Sequence, residues 1–217
     1  MTSPQIRVLL ADDHAVVREG YRSLLQGQAD MCVVAEAKDG DGAYRLSRKF
    51  APDVVVMDLS MQGGGGLEAM ARIRQVSPTT GMLVFTMHLN ASFAVQAFRA
   101  GASGYVTKSS PPQMLIQAVR DVCAGRPALS PDIAAELAYE RAGSERSLLQ
   151  QLSPREFEVL RLRMDLHSID EISESLHISP KTVANLYYQL KAKLGAPSDI
   201  ELVHMALRAG LVKPLAA

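Results

Sequence analysis

The sequence lacks several features that would assign it to a class at once. It has no tryptophan, only two cysteines, and 23 basic residues that balance 23 acidic ones. Cys32 and Cys123 lie far apart, and two lone cysteines make neither a disulfide framework nor a zinc site. We expect both to be buried free thiols in a reducing cytoplasm. The neutral balance gives no sign of nucleic-acid binding, which requires a local basic patch here.

Long apolar segments are also missing. No run approaches the roughly 18 uninterrupted apolar residues that suggest a membrane span. Residues Met1–Gln5 lack the basic and apolar regions of a signal peptide. With 47% hydrophobic and 21% charged residues, the composition is that of an ordinary globular protein with enough apolar material for a core. We therefore expect a cytoplasmic protein that does not act at a membrane.

Short apolar runs alternate with segments of helical spacing in the first part of the chain. The predicted strands are Ile6–Ala11, Met31–Ala35, Val54–Met57, Met82–Thr86 and Gly104–Thr107. The predicted helices are Ala15–Gln26, Gly40–Lys49, Gly66–Gln75, Ser92–Ala100 and Pro112–Ala124. Five strands alternating with five helices predict an α/β domain with a parallel sheet that is covered on both faces.

The second part of the chain has a different pattern. Prolines, a glycine and charged residues over 126–150 indicate a linker, with a helix expected over Asp132–Arg141. From residue 151 onward there is no strand pattern, and four short helices are predicted to begin at Ser153, Ser168, Ser179 and Ser198. We expect an α/β domain, a linker and a small all-α helix-turn-helix domain, at 1–125, 126–150 and 151–217.

Polar side chains follow four of the five predicted strands. They are Asp12 with Asp13, Asp58, Thr86 and Lys108. The carboxyl ends of parallel strands meet at one edge of a sheet, where ligands bind. Carboxylate oxygens suit Mg²⁺, a lysine ammonium suits a phosphate, and an aspartate can act as a nucleophile. The pattern therefore predicts phosphoryl transfer to Asp58.

Each of these residues also has a structural interpretation. Asp12 and Asp13 are acceptable helix N-caps, Asp58 alone is a plausible loop acid, and a single lysine such as Lys108 is most often solvated. A metal-dependent phosphatase is another alternative, but enzymes of that type with a strand-end nucleophile need a second aspartate where Ser60 stands. A regulator that works through protein contacts without phosphate is a further alternative. The joint arrangement at four strand ends favours the phosphoacceptor.

Residues 6–124 resemble the receiver domain of two-component response regulators. The resemblance depends on Asp12-Asp13-His14, Val56-Met57-Asp58-Leu59-Ser60-Met61, Thr86, and Gly104-Tyr105-Val106-Thr107-Lys108. It implies a flavodoxin-like (CheY-like) fold with a five-stranded parallel sheet in the order 2-1-3-4-5.

The resemblance also implies a role for each of the strand-end residues. Asp58 would accept phosphate from a histidine kinase, and Thr86 and Lys108 would bind the phosphoryl oxygens. Tyr105 would be the aromatic switch residue, which turns inward as Thr86 moves toward the phosphate. The protein itself would not be an enzyme for a separate substrate, although its receiver catalyses its own phosphotransfer and dephosphorylation.

A magnesium ion is the cofactor that the resemblance implies. Its ligands would be Asp13, Asp58 and the backbone carbonyl of Ser60, with Asp12 acting through water. Gln62 replaces the proline that is usual in the family, and a glycine run follows it, which predicts a looser loop after Asp58. Ser109 likewise replaces a proline that many receivers have after the lysine.

The predicted third helix of the C-terminal part carries a local positive charge. It contains three lysines and no acidic residue between Ser179 and Leu194, and such a helix fits the major groove of DNA. An ordinary amphipathic helix with a solvated face is the alternative. From residue 151 onward, eight basic residues balance eight acidic ones, so we expect weak binding by a monomer and a need for dimers.

Residues 152–212 resemble the LuxR-type helix-turn-helix of NarL/FixJ response regulators. The motifs include Leu152-Ser153-Pro154-Arg155-Glu156, Lys181-Thr182-Val183 and Lys193-Leu194-Gly195. The resemblance implies a double-stranded operator as partner and a homodimer on phosphorylation, with Ser198–Ala209 as the dimer contact. The DNA-binding residues it predicts are Lys181, Thr182, Val183, Ala184, Asn185, Tyr188, Lys191 and Lys193, among which Ala184, Asn185 and Tyr188 would read bases.

Overall fold

The computed structural model describes residues 5–61, 65–140 and 146–212. The looser loop that the sequence predicts after Asp58 falls on Gln62, Gly63 and Gly64, which lie outside the described residues. The strands are β1 (Ile6–Ala11), β2 (Met31–Ala37), β3 (Val54–Met57), β4 (Gly81–Thr86), β5 (Gly104–Thr107) and β6 (Ala128–Leu129). All pairs are parallel, in the order β2-β1-β3-β4-β5-β6. The expected order of the first five strands is confirmed.

The sixth strand corrects the expectation of five. It comes from the predicted linker, where the Ala128 N–H donates to the Ser103 carbonyl (3.4 Å) and the Ser130 N–H donates to the Tyr105 carbonyl (3.1 Å). A strand of two residues is too short to show a period-two pattern, so the sequence had no signal for it. The start of the linker is therefore part of the sheet.

Helices cover both faces of the sheet. They are α1 (Ala15–Gln26), α2 (Gly40–Phe50), α3 (Gly66–Val76), α4 (Ala91–Arg99) and α5 (Pro112–Cys123), followed by α6 (Pro131–Glu140) in the linker. All four residues of β3 are buried, as the unbroken apolar run predicts for a central parallel strand. Two apolar clusters result, one on each side of the sheet.

The C-terminal part is helical as predicted. A short 3₁₀ helix (Arg146–Gln151) leads into α7 (Pro154–Met164), α8 (Ile169–Leu176), α9 (Pro180–Leu194) and α10 (Asp199–Arg208). The hydroxyl of each predicted start residue accepts a backbone N–H three positions later, which confirms the caps at Ser153, Ser168, Ser179 and Ser198. His177 adopts a left-handed conformation that ends α8 and makes the turn toward α9.

The α/β part and the helical part pack directly against each other. Phe93 of α4 and Phe157 of α7 make an edge-to-face contact with ring centroids 5.1 Å apart. The buried amide of Gln96 donates to the carbonyl of Leu149 at 2.7 Å. Asn90 donates to the carbonyl of Gly210 at 2.6 Å, so the end of α10 is also held at the start of α4.

The cysteines do not lie where composition suggested. Cys123 is exposed at the end of α5 and Cys32 is half-buried, so the expectation that both are buried is wrong. Val122 takes the buried position at the end of α5 and directs its neighbour to the surface. Among the helices of the described ranges, none combines the length and apolar character that a membrane crossing requires.

Candidate functional site

The predicted strand-end residues come together at one edge of the sheet. Asp12 and Asp58 follow β1 and β3 and are 5% and 2% exposed. The Lys108 ammonium, from the end of β5, lies 2.6 Å from an oxygen of Asp12 and 2.7 Å from an oxygen of Asp58. Burial lowers the pKa of Lys108, but its hydrogen bonds to both carboxylates outweigh burial and leave this pKa above its ordinary value. The lysine thus remains charged between the two acidic side chains.

The donor set at this edge fits a hard divalent cation. Carboxylate oxygens of Asp12, Asp13 and Asp58 lie, with a nitrogen of His14, within 4.8 Å of one another. Oxygen-rich clusters of this kind suit Mg²⁺, which keeps several waters. Ser60 follows in the same loop, and its backbone N–H donates to Asp58 at 3.1 Å. His14 was not predicted in this cluster, although its place directly after the two aspartates was the available signal.

Thr86 and Tyr105 are fully buried beside this cluster. The Tyr105 hydroxyl donates to the backbone carbonyl of His88 at 2.9 Å. Burial raises the pKa of Tyr105, so its hydroxyl remains a donor. The ring therefore lies inward in this structure.

His88 is a residue of the site that the sequence analysis missed. Its Nε2 lies 3.1 Å from the Ser60 hydroxyl, and its ring stacks on Phe93 with centroids 4.0 Å apart. Burial, aided by the charge of Arg161, lowers the pKa of His88 to about 4. A neutral imidazole therefore connects the loop after Asp58 to the α4–α7 contact. No motif or periodicity marks this position.

The linker also contacts the residue next to Lys108. The backbone N–H of Thr107 donates to the Ser130 hydroxyl at 3.3 Å, and the Thr107 hydroxyl donates to the Asp132 carboxylate. Helix α6 therefore begins against the end of β5. This contact depends on β6, so the sequence pattern did not predict it.

Helix α9 presents most of the predicted DNA-binding residues to solvent. Lys181, Thr182, Ala184 and Asn185 are exposed, and Tyr188 is 77% exposed. The face expected to enter a groove is therefore open although the two parts of the chain are packed together.

One predicted DNA-binding residue is buried in the structure, and two others have acidic partners within their own domain. Val183 is fully buried in the helical core, so its side chain does not contact DNA, and its apolar character was the signal for this. The Lys191 ammonium lies 2.5 Å from Asp199, and the Lys193 ammonium lies 2.7 Å from Glu156. Acidic partners thus offset two of the three lysine charges that the sequence suggested for the DNA face.

Comparison with known families assigns both parts of the chain. Residues 8–120 match the family described as the response regulator receiver domain, and residues 150–206 match the luxR family of bacterial regulatory proteins. The chain is a LuxR-type response regulator. The α/β part is its receiver domain, and the helical part is its DNA-binding domain.

Relatives of this response regulator match it over nearly the whole length. Response regulator UvrY of Escherichia coli is 38% identical over 208 residues, which are 95% of each chain. Response regulator GacA of Pseudomonas aeruginosa is 37% identical and covers 95% of this chain and 98% of its own. The structure of RcsB from Salmonella enterica, bound to promoter rprA with phosphomimetic BeF3-, is 28% identical with a TM-score of 0.69, over 93% of this chain and 98% of RcsB.

Proposed function

We propose that this response regulator binds operator DNA under the control of phosphorylation on Asp58 by a histidine kinase. The proposal rests on one observation. The buried Asp58 carboxylate lies 2.7 Å from the Lys108 ammonium at the carboxyl edge of the sheet. A buried carboxylate with a paired cation at such an edge has both the nucleophile and the charge compensation for phosphoryl transfer.

The transfer has a simple balance of bonds. A carboxylate oxygen of Asp58 attacks the phosphorus of a kinase phosphohistidine, the phosphorus–nitrogen bond breaks, and a phosphorus–oxygen bond to Asp58 forms. The Lys108 ammonium then binds the phosphoryl oxygens, and the Thr86 hydroxyl donates a hydrogen bond to one of them. Because the protein is both catalyst and acceptor, we propose no separate substrate. Tyr105 fills the space beside Thr86 from its inward position.

Magnesium is the cofactor that we assign to this site. Asp13, Asp58 and the Ser60 carbonyl would hold it, with Asp12 acting through water. When bound, it supplies positive charge that neutralises the transferring phosphoryl oxygens. The cluster of carboxylate oxygens around Asp58 supports this assignment, because Mg²⁺ prefers ligands of this kind.

The exposed face of α9 supports operator binding. Lys181 would contact phosphate, while Asn185 and Tyr188 would face base edges in the major groove. The balance of basic and acidic residues limits the affinity of one copy, so we propose a homodimer of the phosphorylated form. Ile200 and Val203 are exposed on α10 and supply apolar area for that dimer.

The test is labelling of the full chain by acetyl phosphate in Mg²⁺. We expect the parent to be labelled and Asp58→Asn to lose the label entirely. Asp53→Asn is the matched control, since Asp53 lies at the opposite end of β3 and binds the backbone N–H of Arg7. Equal labelling of the parent and Asp58→Asn would show that Asp58 is not the acceptor. Operator binding before and after phosphorylation then tests the regulatory part.

A further inference from the structure

A second buried carboxylate lies where the two domains meet. Glu158, on α7 of the DNA-binding domain, is only 3% exposed, and its carboxylate lies at the start of receiver helix α3. A Cβ atom on Gly65, the N-cap of α3, would overlap both oxygens of this carboxylate. The absence of a side chain at Gly65 therefore lets the carboxylate of one domain reach the backbone of the other.

The surroundings compensate this carboxylate only in part. The backbone N–H of Glu68, in the first turn of α3, faces this carboxylate and lowers its pKa, and Arg155 Nη1 lies 3.5 Å from the nearer oxygen. The charged groups that face Glu158 are Arg155 and Arg161 of its own helix and Glu68 of α3. Burial raises the pKa of Glu158 to about 7 against the opposing charges of both arginines.

We propose that Glu158 is a proton-controlled latch that holds the DNA-binding domain on the receiver while its carboxyl is neutral. Ionisation leaves a charge at a dry junction, and moving α7 away from α3 returns that charge to water. The junction also contains the Phe93–Phe157 contact, the bonds made by Gln96 and Asn90, and the His88 ring stacked on Phe93. Among these groups His88 is the one that titrates, and its pKa of about 4 keeps it neutral in the docked state above pH 4.5, so Glu158 is the member of this set whose charge changes there.

The direction of the effect follows from the two states of the carboxyl. Released into solvent, it returns to its ordinary pKa of 4.5, whereas the docked carboxyl has a pKa of about 7. Between these two pH values, the docked state therefore keeps a proton on Glu158 that the released state has lost. Through Glu158, docking weakens as pH rises from 4.5 through 7, and its contribution to the equilibrium constant falls on the order of 100-fold.

The start of α3, which receives Glu158, lies close to the proposed phosphorylation site along the chain and in space. A Cβ atom on Gly66 would lie 2.5 Å from the backbone carbonyl oxygen of Asp58, so the start of α3 rests directly on the acceptor. A change at Asp58 thus reaches the same helix end that receives Glu158. Only this consequence rests on the proposed function; the latch itself needs neither phosphate nor DNA.

Small-angle X-ray scattering of the full chain tests the latch without a phosphodonor or DNA. We expect the radius of gyration to grow as pH rises from 5.5 to 8.5, because the domains separate. Glu158→Gln, which keeps the shape of the neutral carboxyl, should remain compact over the whole range. A Glu158→Gln variant that expands like the parent would overturn the proposal, as would a parent whose radius does not change.

The control is Glu156→Gln, two residues away on the same helix. Glu156 is also buried, but it caps α7 at Ser153 and binds Lys193 within its own domain. Glutamine preserves the capping box, so this variant should expand with pH as the parent does. Circular dichroism checks that each variant is folded. In addition, ¹³C NMR of the parent should show one glutamate carboxyl, absent from Glu158→Gln, that titrates near pH 7; a normal titration for Glu158 would contradict the latch.

Discussion

Two carboxylates of this response regulator are buried to nearly the same degree, and their surroundings differ. Asp58 is paired with the Lys108 ammonium at 2.7 Å, whereas Glu158 has Arg155 at 3.5 Å and the acidic Glu68 nearby. A close cation lets a carboxylate remain ionised in a buried site, while a distant one leaves most of the desolvation cost in place. The receiver site therefore holds its carboxylate against a close cation, whereas burial raises the pKa of the carboxyl at the domain junction to about 7.

Removing the Lys108 ammonium should leave the carboxylates of the receiver site poorly compensated, as Glu158 is at the domain junction. Lys108→Met leaves Asp12 and Asp58 buried without their lysine, so we expect the free energy of unfolding to fall by about 3 kcal/mol. Urea denaturation without divalent cations measures this, and added Mg²⁺ should restore part of the loss by binding the carboxylates. Lys49→Met, at an exposed lysine of α2, should change stability by less than about 0.5 kcal/mol. Equal losses in the two variants would contradict this explanation.

Removing the negative charge of Glu158 should stabilise the folded protein. The raised pKa of Glu158 means that its cost to the folded state is absent below pH 4.5 and complete above about pH 7. We expect Glu158→Gln to raise the free energy of unfolding by about 2 kcal/mol at pH 8.5 and to have little effect at pH 4.5. Urea denaturation at the two pH values tests the sign, and a gain that is the same at both would refute it.

The hydrogen bond between His88 and Ser60, which connects the two sites, should contribute less to stability than the charges at either site. His88 bonds to Ser60 near Asp58 and stacks on Phe93 near α7, so we test it with a double-mutant cycle at pH 7. His88→Phe retains a stacking ring and loses the bond, while Ser60→Ala removes its partner. We expect a coupling energy of about 1 kcal/mol in unfolding experiments. Additive effects would mean that the hydrogen bond contributes nothing to stability.

The smallest effect is expected on the DNA-binding face. Lys181 is exposed, whereas Lys193 is held by Glu156 within the domain. Lys181→Gln should reduce the slope of log affinity against log salt by about 1 for a mixed-sequence duplex, because one phosphate contact is lost. Lys193→Gln should change that slope less, since its charge is already offset. A larger change for Lys193→Gln would show that its ion pair opens on DNA.

The structural elements that depend on residues close together in the sequence were predictable. The unbroken apolar run of β3 and the serine caps of the last four helices act within a few residues, so their effect is visible in the sequence. The meeting of Asp12, Asp58 and Lys108 followed from one further rule, that parallel strands end at a common edge. The resemblance to known receivers supplied the role of each residue.

The errors concern residues whose partners are distant in sequence. Strand β6 exists because a pair of linker residues meets the free edge of β5, and Val183 is buried because α9 packs on its neighbours. The exposure of Cys123 depends on which side of α5 faces the sheet. Neither His88 nor Glu158 stands in a motif that marks a contact between domains, and both were missed.

The amino-acid sequence by itself determined the first five strands, the starts of the last four helices and the set of polar groups at the carboxyl edge. These depend on local propensity and on the geometry that all parallel sheets share. Only the tertiary structure decided that the carboxylate of Glu158 rests on Gly65 and that His88 connects Ser60 to Phe93. Such contacts arise when two packed domains exclude water between particular side chains, and the free energy of each depends on its three-dimensional surroundings.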